Sequence, residues 1–405
     1  MSLKTLTIKA VMIVVAIVVF ATISISPTVA DEWSDIVNKA KNQEVYWYAW
    51  GGAEPYNDYI TWVGERVQHD YNVELIHIKL GDTAEAVRKV LAERTVGRLN
   101  NGSVDLIWIN GENFKTMKEE DLLFGPFAHK LPNFQFVDVI QNPGITSDFT
   151  TPTEGLESPW GMAKLIFIHD RASLTSPPRS ILSILEYARS NPGRISYPAP
   201  PDFSGTTFIK QALFELTADP RELQKPARDN FDRVTAPLWK YLDDLVPFLW
   251  QQGREYPKSS EKLTEMLGKG VVDLSFSFRI GVVSNAIEEG VLPISARSYV
   301  LEKGTIGNTH FVAIPFNSAH KEGAMVVANF LMSPEAQARK QNSAYWGEQT
   351  VLAMHLLSAE DRKRFNDIPR DAATLSSEEL GNTLPEPHPS WITQIEEVWL
   401  RRYGQ

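Results

Sequence analysis

The chain has no cysteine. That excludes a disulfide framework, thiolate zinc ligands, a thiol nucleophile and a lipidated N-terminal cysteine together. Positive charge is also in short supply: 40 Lys and Arg stand against 50 Asp and Glu, for a formal net charge of −10. A nucleic-acid binder needs a basic face, so no nucleic-acid partner is expected. The common catalytic signatures are missing too. There is no Gly-x-Ser-x-Gly elbow, no His-Glu-x-x-His pair, no Gly-x-x-x-x-Gly-Lys-Ser/Thr loop, and no Gly-x-Gly-x-x-Gly after a strand. Neither an ATP-hydrolysing site nor a resident cofactor is expected. The eight His are dispersed, and His69 and His77 lack a metal-motif partner, so no metal site is expected either.

What is present is an ordinary globular mixture, 43% apolar and 22% charged, over 405 residues. That length exceeds one compact core and predicts two domains. Residues 1–30 read as a secretory signal peptide: Lys4 and Lys9 precede an apolar run from Ala10 to Ile25, and Thr28-Val29-Ala30 offers small residues for cleavage. A spanning helix needs about 20 apolar residues, so cleavage is favoured over an anchor. The expected product is an acidic protein held in the periplasm as a monomer.

Beyond residue 30, strand-like runs alternate with helical stripes. Val45 to Trp50, Val73 to Ile78 and Val104 to Ile109 read as strands, with amphipathic helices between them. Alternation of this kind points to a parallel α/β sheet, whose ligands gather at the carboxyl ends of strands. Those ends are Trp50-Gly51-Gly52 and Asn110-Gly111-Glu112-Asn113. Trp160 to Asp170 is one long apolar run, and a second α/β pattern follows it. Its strands are expected at Ile195 to Tyr197, Asp273 to Phe278 and His310 to Pro315. Ser376 to Ser390, with three prolines, reads as a surface loop before a last helix.

One stretch is more specific. The strand-like Gly307-Asn308-Thr309-His310-Phe311-Val312-Ala313-Ile314-Pro315 leads to a helix carrying Asn329-Phe330-Leu331, then Ser333-Pro334-Glu335-Ala336-Gln337. It resembles the family 1 extracellular solute-binding proteins of ABC transporters, and within them the YnjB-type branch. Tyr48-Ala49-Trp50-Gly51-Gly52 and Pro159-Trp160-Gly161-Met162 fit the same family. The resemblance implies a type II periplasmic binding fold, a Venus flytrap of two α/β lobes joined by hinge strands. Lobe 1 would take residues 31–163 and 312–345, and lobe 2 residues 164–311 and 346–405. It further implies a small solute in the cleft and delivery to an ABC permease with a separate ATPase subunit. The protein would then not be an enzyme. The alternative is an exported hydrolase acting on a small polar substrate, because 50 acidic residues leave room for chance carboxylate pairs.

Candidate ligand contacts follow from the strand ends and the resemblance. Trp50 offers a stacking face, and Gly51 and Gly52 allow close backbone approach; the plain alternative is a tight turn with a packing Trp. Asn110 and Glu112 end the third strand, where Glu112 either meets a cation or favours the next helix's positive end. In Asp202-Phe203-Ser204-Gly205-Thr206, Ser204 is expected to cap a helix whose free N–H groups attract anions; Asp202, Gly205 and Thr206 belong to the same candidate. Ser275, Phe276 and Arg279 end another strand, with Arg279 suited to a carboxylate or phosphate. Trp160 lies on the hinge run, and Tyr345-Trp346 follow the crossing helix, where the family often places an aromatic. The carboxylates and Trp residues suit an organic amine, Ser204 and Arg279 suit an oxyanion, and a zwitterion satisfies both.

Overall fold

Strand β1 (Glu44–Trp50) buries Val45, Trp47 and Ala49 and leaves the alternate side chains half-covered, the period-two pattern of a strand. It lies between β2 (Glu74–Leu80) and β3 (Leu106–Ile109), parallel to both, with Tyr46 opposite Ile76 and Tyr48 opposite Ile107. The helices Glu54–Tyr71 and Ala84–Thr95 make the crossovers. Just ahead of the second of these, Asp82 accepts from the Ala84 N–H at 2.7 Å and Glu85 from the Asp82 N–H at 3.0 Å, while the N-cap Thr83 makes no side-chain cap bond. The computed structural model describes residues 29–404 except 141, 370, 371, 377 and 378. The expected signal peptide lies almost wholly outside the described residues, and among these no helix is long and apolar enough to cross a membrane.

After β3 the chain makes a small hairpin, β4 (Ser147–Asp148) and β5 (Thr151–Pro152), and enters β6 (Glu157–Lys164) and β7 (Ile166–Asp170). The single apolar run Trp160 to Asp170 is thus two strands, broken at Leu165. Strands β8 (Leu274–Ser277) and β9 (Ala296–Tyr299) flank β7, both antiparallel to it. Ile195 to Tyr197, expected as a strand, makes only an isolated bridge from Ile195 to Leu249. β10 (Thr305–Ala313) then runs antiparallel to β6 along its length, with Thr309 opposite Met162, and its far end pairs with β3, Val312 opposite Trp108. Its near end pairs with β11 (Thr383–Leu384). β6 and β10 therefore cross together between two lobes.

Each lobe has its own core. In the first, Val45, Trp47, Val63, Trp160, Val327 and Trp346 fill one face of the sheet, while Val87, Ile107, Phe114 and Phe311 fill the other. In the second, Phe167, Ile184, Phe208, Leu238, Phe276 and Trp399 surround the β7 sheet. Trp346, Val351, Leu352, Leu357 and Phe365, grouped by the sequence with the second lobe, pack in the first core. The reason is aromatic: Trp346 meets Tyr56 at 4.1 Å and Trp160 at 5.4 Å between ring centroids, so the chain stays in the first lobe past the crossing helix. Ala373, Trp391, Ile395 and Trp399 then join the second core.

Under the crossing strands lies a buried polar network. The Lys340 ammonium sits 3.5 Å from the Trp160 ring centroid, donates to the Trp160 carbonyl at 3.0 Å and pairs with Glu348 at 3.2 Å. His310 of β10 reaches the other Glu348 oxygen at 2.8 Å. Burial lowers the Lys340 pKa to about 8. Burial works against the Glu348 charge as well, but His310 and Lys340 overcome it and hold its carboxyl below the usual range. Gly161 gives the network its room, since a Cβ there would overlap the Lys340 ammonium and the Glu348 carboxylate. Gly161→Ala should therefore cost about 1–3 kcal/mol through overpacking. Urea unfolding of the variant checks this, and a midpoint equal to wild type would refute it.

Candidate functional site

The boundary between the lobes gathers charged and aromatic side chains from both. On the first-lobe side, Trp50 ends β1 and meets Tyr56 edge-on at 5.0 Å. Asn110 and Gly111 end β3, and the exposed Glu112 begins the helix Glu112–Glu119. The β4–β5 hairpin faces them: the Asp148 carboxylate accepts from the Gly111 N–H at 2.7 Å. The hairpin tip is Phe149-Thr150, with φ of 41° and 72°. Two-residue hairpins of this hand prefer Asn-Gly, so the tip holds two ordinary residues in a left-handed backbone. Such strain collects at ligand sites.

On the second-lobe side the helix Phe203–Leu216 points its start at the boundary. Its cap is Asp202, not Ser204: the Asp202 carboxylate accepts from the Ser204 and Gly205 N–H groups, both at 3.0 Å. The expected anion site at this helix end is thus already filled by the chain's own carboxylate. Thr206 donates to Glu396 at 2.6 Å, and one turn on Lys210 pairs with Glu386 at 2.6 Å, its side chain only 1% exposed. The Lys210 ammonium lies 5.5 Å from the Phe149 ring and 5.1 Å from that of Phe203. One contact therefore spans both lobes. Phe203 also touches Phe278 at 5.0 Å, beside Arg279.

Other expected contacts fall elsewhere. Ser275 is buried against Thr264 at 2.9 Å, and Phe276 stacks on Phe208 at 5.5 Å, both inside the second core. Trp160 and Trp346 are fully buried in the first core. Tyr345 is exposed beneath the Arg339 guanidinium, 3.7 Å from its ring centroid. The glycines serve packing: Gly51 lies against the Lys79 side chain, Gly52 against the Trp50 ring and Gly205 against the Pro198 carbonyl. Arg279 is half-buried, and its Nε is buried with no hydrogen-bond partner. Trp50, Asn110, Glu112, Asp202, Thr206 and Arg279 are the sequence candidates at the boundary. Tyr56, Asp148, Phe149, Glu157, Lys210, Asn308, Glu386 and Glu396 were not anticipated, and Phe203 entered only as part of the stretch that begins at Asp202. Only Phe203 and Lys210 carried a signal, lying one and eight residues past Asp202 on the helix that begins there. A groove of about 730 Å³ between the helices Phe231–Leu245 and Pro389–Tyr403 includes none of these residues.

The carboxylates at the boundary are under electrostatic stress. Burial pushes the Asp148 pKa well up; the Gly111 N–H opposes this, and the charges of Glu112 and Glu386 add to it. Burial does the same to Glu157, with Asp148 adding to it. Glu386 and Glu396 are raised by burial against the pull of Lys210, and Asp202 is raised by burial against its two backbone donors. Among the described residues no group of three or more acidic or His side chains is arranged to hold a metal ion. For Asp148 the native carboxyl keeps its proton at pH values where the unfolded one has lost it. Its contribution to stability is thus present below the unfolded pKa and fades as pH rises through the native one. Asp148→Asn should consequently gain melting temperature over wild type at pH 8 and lose that gain by pH 4. Scanning calorimetry at both values checks the sign; an advantage only at pH 4 would reverse the assignment.

Comparison with known proteins accounts for this layout. The family profile described as bacterial extracellular solute-binding protein matches residues 62–350. The protein YnjB of Escherichia coli K12 is 43% identical over 379 residues, covering 93% of this chain and 95% of its own. Among solved structures, the substrate-binding protein PotD of a spermidine/putrescine ABC transporter from Streptococcus pneumoniae superposes with a TM-score of 0.60 at 16% identity, covering 88% of this chain and 99% of its own. The periplasmic binding protein AfuA of Actinobacillus pleuropneumoniae, solved with fructose 6-phosphate, gives 0.60 at 14% identity, covering 90% and 99%. These likenesses establish the two-lobed periplasmic-binding fold. The profile spans more than half of the chain and a 43%-identical relative matches nearly all of it, so the chain belongs to the bacterial extracellular solute-binding proteins.

Proposed function

We propose that the protein is the periplasmic solute-capturing component of an ABC importer. It closes two lobes on a small molecule and presents the closed form to a membrane permease served by a separate ATPase subunit. The observation that supports this most is the arrangement of the boundary. Two independent cores meet along a surface of polar and aromatic side chains, joined chiefly by the β6–β10 pair. Binding between hinged domains is an established mode, and a solute shifts the open–closed balance only by favouring the closed form. PotD and AfuA, of the same fold, take a polyamine-transporter role and a sugar phosphate by their descriptions, so the fold leaves the solute's chemistry to the side chains. The family match lends no support to a hydrolase.

A solute bound at a hundredfold above its Kd should stabilise the folded chain by about 2.7 kcal/mol. It should also reduce the radius of gyration in X-ray scattering. Mass spectrometry of small molecules released when the purified protein is denatured identifies what it carries from its cell. If no compound is released, and none alters either melting or scattering, the reading fails. Phe203→Ala, at a side chain 48% exposed, should leave melting nearly unchanged yet weaken solute binding about tenfold. Unaltered affinity in titration calorimetry would move the contact surface away from this helix.

A further inference from the structure

We propose that the solute carries an organic ammonium group, seated between Glu112 and Asp148 of the first lobe and Glu386 and Glu396 of the second. This rests on the solute-binding reading above and adds the chemical class.

Four carboxylates act on one another across the boundary, and the buried base among them, Lys210, is already committed to Glu386. The pairing uses one oxygen. The other Glu386 oxygen is buried without a well-formed hydrogen bond, Asn308 being the one neutral side chain that acts on this carboxylate, and the residue as a whole is 5% exposed. Behind Asp148, Glu157 is 1% exposed and neither of its oxygens has a partner. A buried carboxylate oxygen with no donor is costly. Such groups are relieved by a proton or by a donor that brings positive charge. An ammonium group supplies both the donor and the charge, and several carboxylates can share its N–H bonds.

The neighbours are consistent with a cation. Phe149 and Phe203 already flank the Lys210 ammonium, and aromatic faces attract positive charge. The nearby helix end, which would otherwise draw an anion, is closed by Asp202. Arg279 lies beyond Phe203 and Phe278, where its charge bears on Tyr56; it is not among the groups acting on Asp148, Glu386 or Glu396. The two bases that act on these carboxylates, Lys118 and Lys210, are paired with Glu154 and Glu386.

The test is titration calorimetry and thermal shift on the purified chain with putrescine, spermidine and ethanolamine, set against glutarate, glycerol 3-phosphate and sucrose. At least one of the three amines should bind and raise the melting temperature. Its affinity should fall between 50 and 500 mM NaCl. Glu112→Gln and Glu396→Gln should each weaken it roughly ten- to a hundredfold, with circular dichroism unchanged. Glu112 is exposed, so that variant reads binding even if changes at Glu386 disturb folding. Binding confined to glutarate, glycerol 3-phosphate or sucrose overturns the inference while the solute-binding reading stands. Amine binding that ignores both variants overturns it as well. If none of the six binds, the compound released on denaturation decides: one with an amine upholds the inference, one without sinks it alone, and no compound at all sinks both readings.

Discussion

Two hydrophobic cores share one molecule but not one interior, and the antiparallel pair β6–β10 is the constraint that makes this possible. Its residues have to satisfy both lobes and the passage between them. Trp160 belongs to the first core, Ile306 to the second, and Asn308 and His310 lie between them. The pair is interrupted by a register shift between His310 and Phe311, where Trp160 is left without a partner, so the passage can bend there as well as at its ends and at the break at Leu165. The Lys340–Glu348–His310 network braces it from the first-lobe side. A buried ion pair is weak evidence for stability. Here it fixes where the crossing strand lies against Trp160 and Trp346.

The same division explains why charge collects where it does. A polar side chain inside either core would be expensive to bury, whereas the surface between the lobes can admit water or a bound group. Carboxylates with raised pKa values are tolerable there because water, a proton or a bound group can relieve them in turn. Asp148, Glu157, Glu386 and Glu396 all fit that description, while Asp105, just before β3, is bonded within its own lobe by Ser318 and His320.

Much of the architecture was legible in the sequence. The strand-like runs Val45 to Trp50 and Val104 to Ile109 each signalled an element that exists, as Glu44–Trp50 and Leu106–Ile109, and Ile-Pro followed by Ser-Pro-Glu marked the crossing and its helix. Candidate site residues fared less evenly, for a physical reason. Strand ends point to ligands in an open sheet, and this rule led to Trp50, Asn110, Glu112 and Arg279, all of which lie at the boundary between the lobes. It failed at Ser275 and Phe276, which lie along β8 with both faces covered. Glu386 and Asp148 had no periodic signal, since one lies in a proline-rich passage and the other in a two-residue strand. Ser204 looked like a cap because Ser commonly is one; Asp202, two residues earlier, starts the helix instead and accepts from the Ser204 and Gly205 N–H groups.

The passage once read as a plain surface loop has a structural role of its own. The Lys164 ammonium, at the end of β6, is enclosed by the carbonyls of Leu380, Gly381 and Asn382 and the Thr383 hydroxyl, and burial lowers its pKa to about 8. The third strand of chain between the lobes is thereby riveted to the first. A swing of one lobe would have to drag that rivet along, so Glu386, only three residues past Thr383, would keep its station beside the pivot.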